Sequence, residues 1–108
     1  MKKLLTTREI ENFKTDGAIV LRKKFDISWI KKLKTGIAKD IKSPSPRFKS
    51  HTTQKNIPAY LEDYWTWDRV SEFKDFVYNS PVAQIASELM SAKKINLLMD
   101  NWFLREEG

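Results

Sequence analysis

The sequence predicts an α+β fold with most of its mass in helices. Three observations carry that expectation. Apolar residues recur at helical spacing in several stretches, helix-capping and helix-breaking residues fall at the ends of those stretches, and two runs, Ala18–Leu21 and Ile95–Leu104, have the apolar content of strands. The elements follow in the order helix, strand, helix, loop, helix, helix, strand.

Thr6-Thr7-Arg8-Glu9 opens the first helix, with Thr6 as N-cap, Glu9 reaching back to it, and Leu5 packed on Ile10. Phe13 continues the apolar face, and Asp16-Gly17 ends the helix because glycine tolerates a left-handed conformation. Ala18-Ile19-Val20-Leu21 then reads as a short buried strand. A second helix starts at Asp26 or Ser28, carries Ile30, Leu33, Ile37 and Ile41 on one stripe, and stops at Ser43-Pro44-Ser45-Pro46. Lysines 31, 32, 34, 39 and 42 surround that stripe and read as a solvated helix face.

Ser43 to Pro58 is polar and proline-punctuated, and reads as a long loop. Tyr60 to Asp68 follows, with Tyr60, Tyr64, Trp65 and Trp67 interleaved with carboxylates. Val70, Phe73, Phe76 and Val77 recur at helical spacing up to Ser80-Pro81, where Ser80 caps and Pro81 takes the first position of the next helix. That helix carries Val82, Ile85, Ala86 and Leu89, and the last strand places Leu97, Met99, Asn101 and Phe103 on one side. No internal boundary or repeat divides residues 1–108, so the chain reads as a single partial domain.

Composition removes several kinds of chemistry. With no cysteine, thiolate nucleophiles, disulfides and thiolate zinc sites are excluded. A single histidine, His51, excludes any site needing two imidazoles from this chain. No signal-peptide core and no long apolar run is visible, and a cytoplasmic location is expected. The net charge of +6 is uneven: residues 1–55 carry 15 basic and 5 acidic side chains, and residues 56–108 carry 5 and 9. Nucleic acid is nevertheless not expected as a partner, because Glu62, Asp63, Asp68 and Glu72 lie in or beside the aromatic cluster and would repel phosphates. His51 reads as a solvent-exposed loop residue lacking an orienting acid. Asp100 and Asn101 put polar groups into an apolar strand, where they either bond to neighbouring strands or face a ligand.

Two segments resemble a known family. Glu9 to Phe25, EIENFKTDGAIVLRKKF, contains the F-x-x-D-G step from helix to apolar strand (Phe13 to Gly17) found at the opening of phytanoyl-CoA dioxygenase-like proteins. Pro58 to Gly108 is similar to the middle region of that family, where a helix ends at a Ser-Pro boundary and a second helix leads into the first long core strand. The resemblance implies the start of a double-stranded β-helix (jelly-roll) fold and membership among Fe(II)- and 2-oxoglutarate-dependent oxygenases, which hydroxylate a small organic substrate. It implies an iron held by His-x-Asp and a distant histidine, none of which these residues match; His51 does not match a ligand position. The chain is therefore expected to be an N-terminal fragment, silent in catalysis by itself, with no metal ligand of its own. By the same resemblance Asn101 faces the 2-oxoglutarate pocket, and Tyr64, Trp65 and Trp67 line the substrate or cofactor entrance. The alternative expectation is a stand-alone interaction module that self-associates through its C-terminal strand.

Overall fold

In the computed structural model, which describes residues 2–52, 54, 55 and 57–107, four helices accompany a three-stranded antiparallel sheet, and the second and third of them pack over one of its faces. Helix α1 (Thr7–Asp16) is bounded by both local signals. Thr6 Oγ1 accepts from Glu9 N, the Glu9 carboxylate accepts from Thr6 N, and Gly17 closes the helix at φ 76°. Helix α2 (Ile27–Lys42) begins at Asp26, whose carboxylate accepts from Ser28 N at 2.8 Å. Helices α3 (Ser71–Asn79) and α4 (Val82–Met90) meet at the Ser80-Pro81 step, where Ser80 Oγ accepts from Val82 N and Pro81 already has helical dihedrals.

The sheet departs from the sequence expectation. Its strands are β1 (Lys49–Ser50), β2 (Tyr60–Tyr64) and β3 (Asn101–Arg105), in the order β1-β2-β3. The Ala18–Leu21 run is not a strand: it passes from Gly17 toward α2 with no neighbour to pair with, and Val20 is left 74% exposed. β-Branched content alone does not satisfy a strand's backbone groups. The final strand is half the expected length: β2 supplies five partners, from Tyr64↔Asn101 to Tyr60↔Arg105, Trp65 N adds one bond to Asp100 O, and residues 95–99 lie outside the sheet. The polar loop contains β1, which pairs Lys49↔Glu62 and Ser50↔Leu61; Thr53 and Asn56 of that loop lie outside the described residues.

Strand alternation divides the side chains between two faces. Leu61, Asp63, Trp102 and Leu104 point toward the helices, where Val70, Phe73 and Trp102 form the core with Leu33, Ile37, Phe48 and Trp67 packed around them. Helix α2 crosses α3 so closely that Gly36 lies against the Phe73 ring. Leu5 and Ile85 are buried separately, and Glu88 ties the start of the chain to α4 by accepting from the backbone of Leu4 and Leu5. Among the described residues no helix is long and apolar enough to cross a membrane.

The molecule measures 49 × 28 × 24 Å, with a radius of gyration of 16.3 Å against about 13 Å for a compact chain of this length. Its accessible surface is 8486 Å², whereas a compact monomer of this mass exposes about 6,200 Å².

Candidate functional site

Three arrangements bring chemistry-bearing residues together. The first is an apolar cleft of about 220 Å³ between α2, α3 and the start of β3, formed by Leu33, Ile37, Trp67, Phe76 and Asn101 among others. The spacing of Leu33 and Ile37 on α2 and of Phe73, Phe76 and Val77 on α3 turns both helices' apolar stripes into it. Trp67 enters from the turn after β2, and its ring meets Tyr78 edge-on at 6.0 Å.

Asn101 and Trp67 are thus neighbours in one cleft. Tyr64 is not in it: it lies opposite Asn101 in the sheet register, with the Arg47 guanidinium 5.7 Å above its ring. Trp65 stands apart from the cleft, 52% exposed, at a left-handed backbone position (φ 57°) that ends β2. The neighbouring Asp100 is consumed structurally. Its carboxylate accepts from Thr66 N at 3.1 Å, Thr66 Oγ1 at 2.9 Å and Trp67 N at 3.2 Å, fastening the β2–α3 turn to the start of β3. Asp100 thus bonds to the turn that follows β2 and not to a neighbouring strand, and it also borders the cleft.

The second arrangement is a buried carboxyl pair. Asp40, 1% exposed, accepts from Trp102 Nε1 at 3.1 Å and Arg69 Nη1 at 3.3 Å. Asp63, fully buried, accepts from Ser45 N at 3.0 Å, from the Ser45 hydroxyl and from Tyr64 N at 2.8 Å. Burial, and then the facing Asp63, push the Asp40 carboxyl up to about 6, against the opposing pull of Trp102 and Arg69. Burial also works to raise Asp63, but hydrogen bonds from Asp40, Ser45 and Tyr64 outweigh it and hold that carboxyl below its ordinary range. Of the two carboxyls, Asp40 is therefore the one that takes up a proton first as pH falls. Sealed between α2 and the sheet, the pair joins elements and is not offered to a ligand.

The third is on the opposite face of the sheet. His51 Nε2 lies 3.1 Å from Glu62 Oε1, so the lone histidine does have an acid beside it. Sequence spacing hid this partner, which the β1–β2 register supplies. A hollow of about 400 Å³ adjoins them, lined by Thr52, Tyr60, Arg105 and neighbouring residues.

Neither implied cofactor finds a complete set of donors. Among the described residues no group of three or more His, Asp or Glu side chains is arranged to hold a metal ion. The cleft that contains Asn101 and Trp67 is bordered by no Lys or Arg, and its only charged group is the Asp100 carboxylate. A dicarboxylate such as 2-oxoglutarate needs cations there, so these residues alone do not fit it. The cleft suits an apolar group. Compared with family models, curated proteins and solved structures, the chain matches none of them.

Proposed function

We propose that residues 1–108 form the helix-covered first sheet of a phytanoyl-CoA dioxygenase-like hydroxylase, an oxygenase of a small organic substrate whose iron ligands and 2-oxoglutarate-binding cation come from protein outside these residues. One observation carries the reading. β3 is the terminal strand of the sheet, and the chain around it leaves Leu97, Leu98, Met99 and Phe103 between 44% and 87% exposed. The excess accessible surface, roughly 2,000 Å², is of the size that a stable protein–protein contact removes from water. A strand added at the outer edge of β3 extends the sheet in plane, as a larger jelly-roll requires.

Reading the frame and transcript downstream of the Gly108 codon tests this. A continuation with His-x-Asp within roughly 20 codons and a later histidine is the expected result, because an iron site of this class needs that set of ligands. A stop, or a continuation without those ligands, overturns it.

The same open edge favours a second reading, a module that pairs β3 with β3 of another copy. Sedimentation velocity decides that: concentration-dependent dimers, abolished by Phe103→Glu, support it, and a monodisperse monomer removes it.

A further inference from the structure

The buried carboxyl pair carries more negative charge than its surroundings neutralise. Asp40 of α2 and Asp63 of β2 face each other across the seam between that helix and the sheet, and both are buried. One cation reaches them: Arg69 Nη1 donates to Asp40 at 3.3 Å, while Arg69 Nη2 donates to Ser43 O at 3.1 Å. The other charged groups on the surrounding elements are engaged elsewhere. Lys39 of α2 pairs with Glu72 of α3, the Arg47 guanidinium donates to Tyr64 O and Trp65 O, and Asp100 accepts from Thr66 and Trp67. Lys49, Glu62 and Arg105 alternate onto the opposite face of the sheet, and Lys42 and Asp68 are exposed. Two ionised carboxyls against one guanidinium leave a buried charge unmatched, and a single proton removes it.

The pair is joined to the apolar cleft through two residues. Asp40 lies one turn after Ile37 on α2, and Trp102 takes part in both sites: its Nε1 donates to Asp40 at 3.1 Å, and it borders the cleft together with Ile37. The corner that follows α2 hangs on the other carboxylate, because Ser45 donates to Asp63 through both its N–H and its hydroxyl. A hollow of about 310 Å³, bordered by Asp40, Ser43 and Arg69 among others, opens beside the Arg69 edge of the pair and gives protons a route to it.

We propose that the Asp40–Asp63 pair is a proton-operated latch on the seam between α2 and the sheet. With a proton on Asp40, the end of α2 and the Ser43–Arg47 corner close on β2 and β3; loss of that proton releases them and widens the cleft along Ile37 and Trp102. Protonated Asp40 donates to Asp63, so attraction replaces repulsion. Ionised, the pair separates on the helix side, because Asp63 is held within its own strand by Tyr64 N whereas Asp40 rides on the last turn of a helix. Burial and then the facing Asp63 keep the Asp40 carboxyl at about 6 in the closed form, and release returns it to 3.8, so closure is favoured at low pH and weakens as pH rises through 6. Asp63, held below its ordinary range, is ionised in both forms above pH 5 and adds no slope there. The latch stands independently of the oxygenase and dimer readings, since Asp63 lies on the central strand and faces the helices, away from the open edge of β3.

Hydrogen exchange of the full chain, followed by NMR at pH 5 and pH 7.5, tests it. Trp102 Nε1–H and Ser45 N–H donate to the pair and report on it directly. After correction for intrinsic exchange rates, their opening constant should rise about tenfold between the two pH values, the ratio that 3.8 and 6 give. That opening should not respond to low concentrations of urea, which separates release of the latch from unfolding of the whole chain. N-phenyl-1-naphthylamine, an uncharged apolar probe, should bind up to about tenfold more tightly at pH 7.5 as the open form is populated. Asp40→Asn should abolish both differences. Asp63→Asn, which removes the facing charge but not the burial, should shrink them, and it carries the test if Asp40→Asn does not fold. Protection of Trp102 Nε1–H and Ser45 N–H that is the same at both pH values overturns the proposal. So does opening that follows urea as global unfolding does, equal affinity for the probe at the two pH values, or a pH difference that survives Asp40→Asn, which would assign it to the His51–Glu62 contact.

Discussion

Gly36 is where α2 and α3 approach most closely, and adding one carbon there has a calculable effect. A Cβ at Gly36 would sit 2.6 Å from Phe73 Cε1, 2.9 Å from Cδ1 and 3.2 Å from Glu72 Cβ. Two effects oppose each other in Gly36→Ala. Removing glycine from a helix interior stabilises by about 1 kcal/mol, whereas forcing an extra carbon into a packed contact costs about 1–3 kcal/mol. The clash decides the sign, because two atoms of the Phe73 ring lie within 3.0 Å of the new carbon and the ring, 7% exposed, packs in one cluster with Val70 and Trp102. The expected net loss is up to about 2 kcal/mol, a fall in Tm of up to roughly 10 °C for a chain of this size. Thermal and urea unfolding followed by far-ultraviolet circular dichroism measure it. In a Phe73→Leu background the obstructing ring edge is gone and the same Gly36→Ala change should become neutral or stabilising, a coupling that a double-mutant cycle isolates. A higher Tm for Gly36→Ala in the native background would refute the packing argument.

Two further changes test the polar core. Asp40 keeps its proton up to about pH 6 in the folded chain but loses it near its ordinary value of 3.8 when unfolded, so folding stability falls as pH rises from about 4 to 6. Asp63 acts oppositely, its depressed folded value making stability fall as pH drops below the ordinary carboxylate range. Asp40→Asn should flatten the limb between pH 4 and 6 and leave the acid limb in place, as urea midpoints across pH would record; an unchanged slope between pH 4 and 6 would exclude proton uptake by Asp40 in that range. Asp100→Ala strips the acceptor from Thr66 N, Thr66 Oγ1 and Trp67 N beside a fully buried Thr66. Unsatisfied buried donors cost about 1–3 kcal/mol each, so a loss of at least about 2 kcal/mol in urea unfolding is expected, with Asp100→Asn losing less.

The helices were legible because their signals are local. Thr6 with Glu9, Asp26 with Ser28, Gly17 and Ser80-Pro81 each act within a few residues of themselves, and each is where the sequence put it. Of the strands only the last was legible, in its second half, because pairing is set by distant partners. Residues 60–64 do alternate, but the inward set is Leu61 and Asp63 while the outward set is Tyr60, Glu62 and Tyr64, so polarity runs against burial and the strand reads as an aromatic cluster. The same inversion concealed the carboxyl pair. Asp40 falls three residues after Ile37 and seven after Leu33, on the buried stripe of α2, and that lone carboxylate among apolar positions was its one visible signal. The joint placement of Asn101 and Trp67 in one cleft is tertiary and required the fold of α3 against α2.

The inverted alternation also bears on what stabilises the sheet. A slip of β2 by one residue would carry Asp63 to solvent and bring Glu62 and the tyrosines against the helices, losing Ser45, Asp40 and Trp102 as a connected set. The buried network thus selects one register. Selection is not stability, since a satisfied buried ionic set contributes little over apolar residues of the same volume. The stabilising area must then come from apolar burial, and among the described residues the buried apolar ones are Leu5, Val70, Phe73, Ile85 and Trp102, while Leu97, Leu98, Met99 and Phe103 remain in water. A sheet whose register is fixed from within and whose apolar surface lies at its open strand gains most from being covered there. The segment from Leu97 to Phe103 is accordingly where added strands or a second copy would contribute the greatest stabilisation, and protection of the β3 amides from hydrogen exchange that rises with protein concentration identifies the second copy.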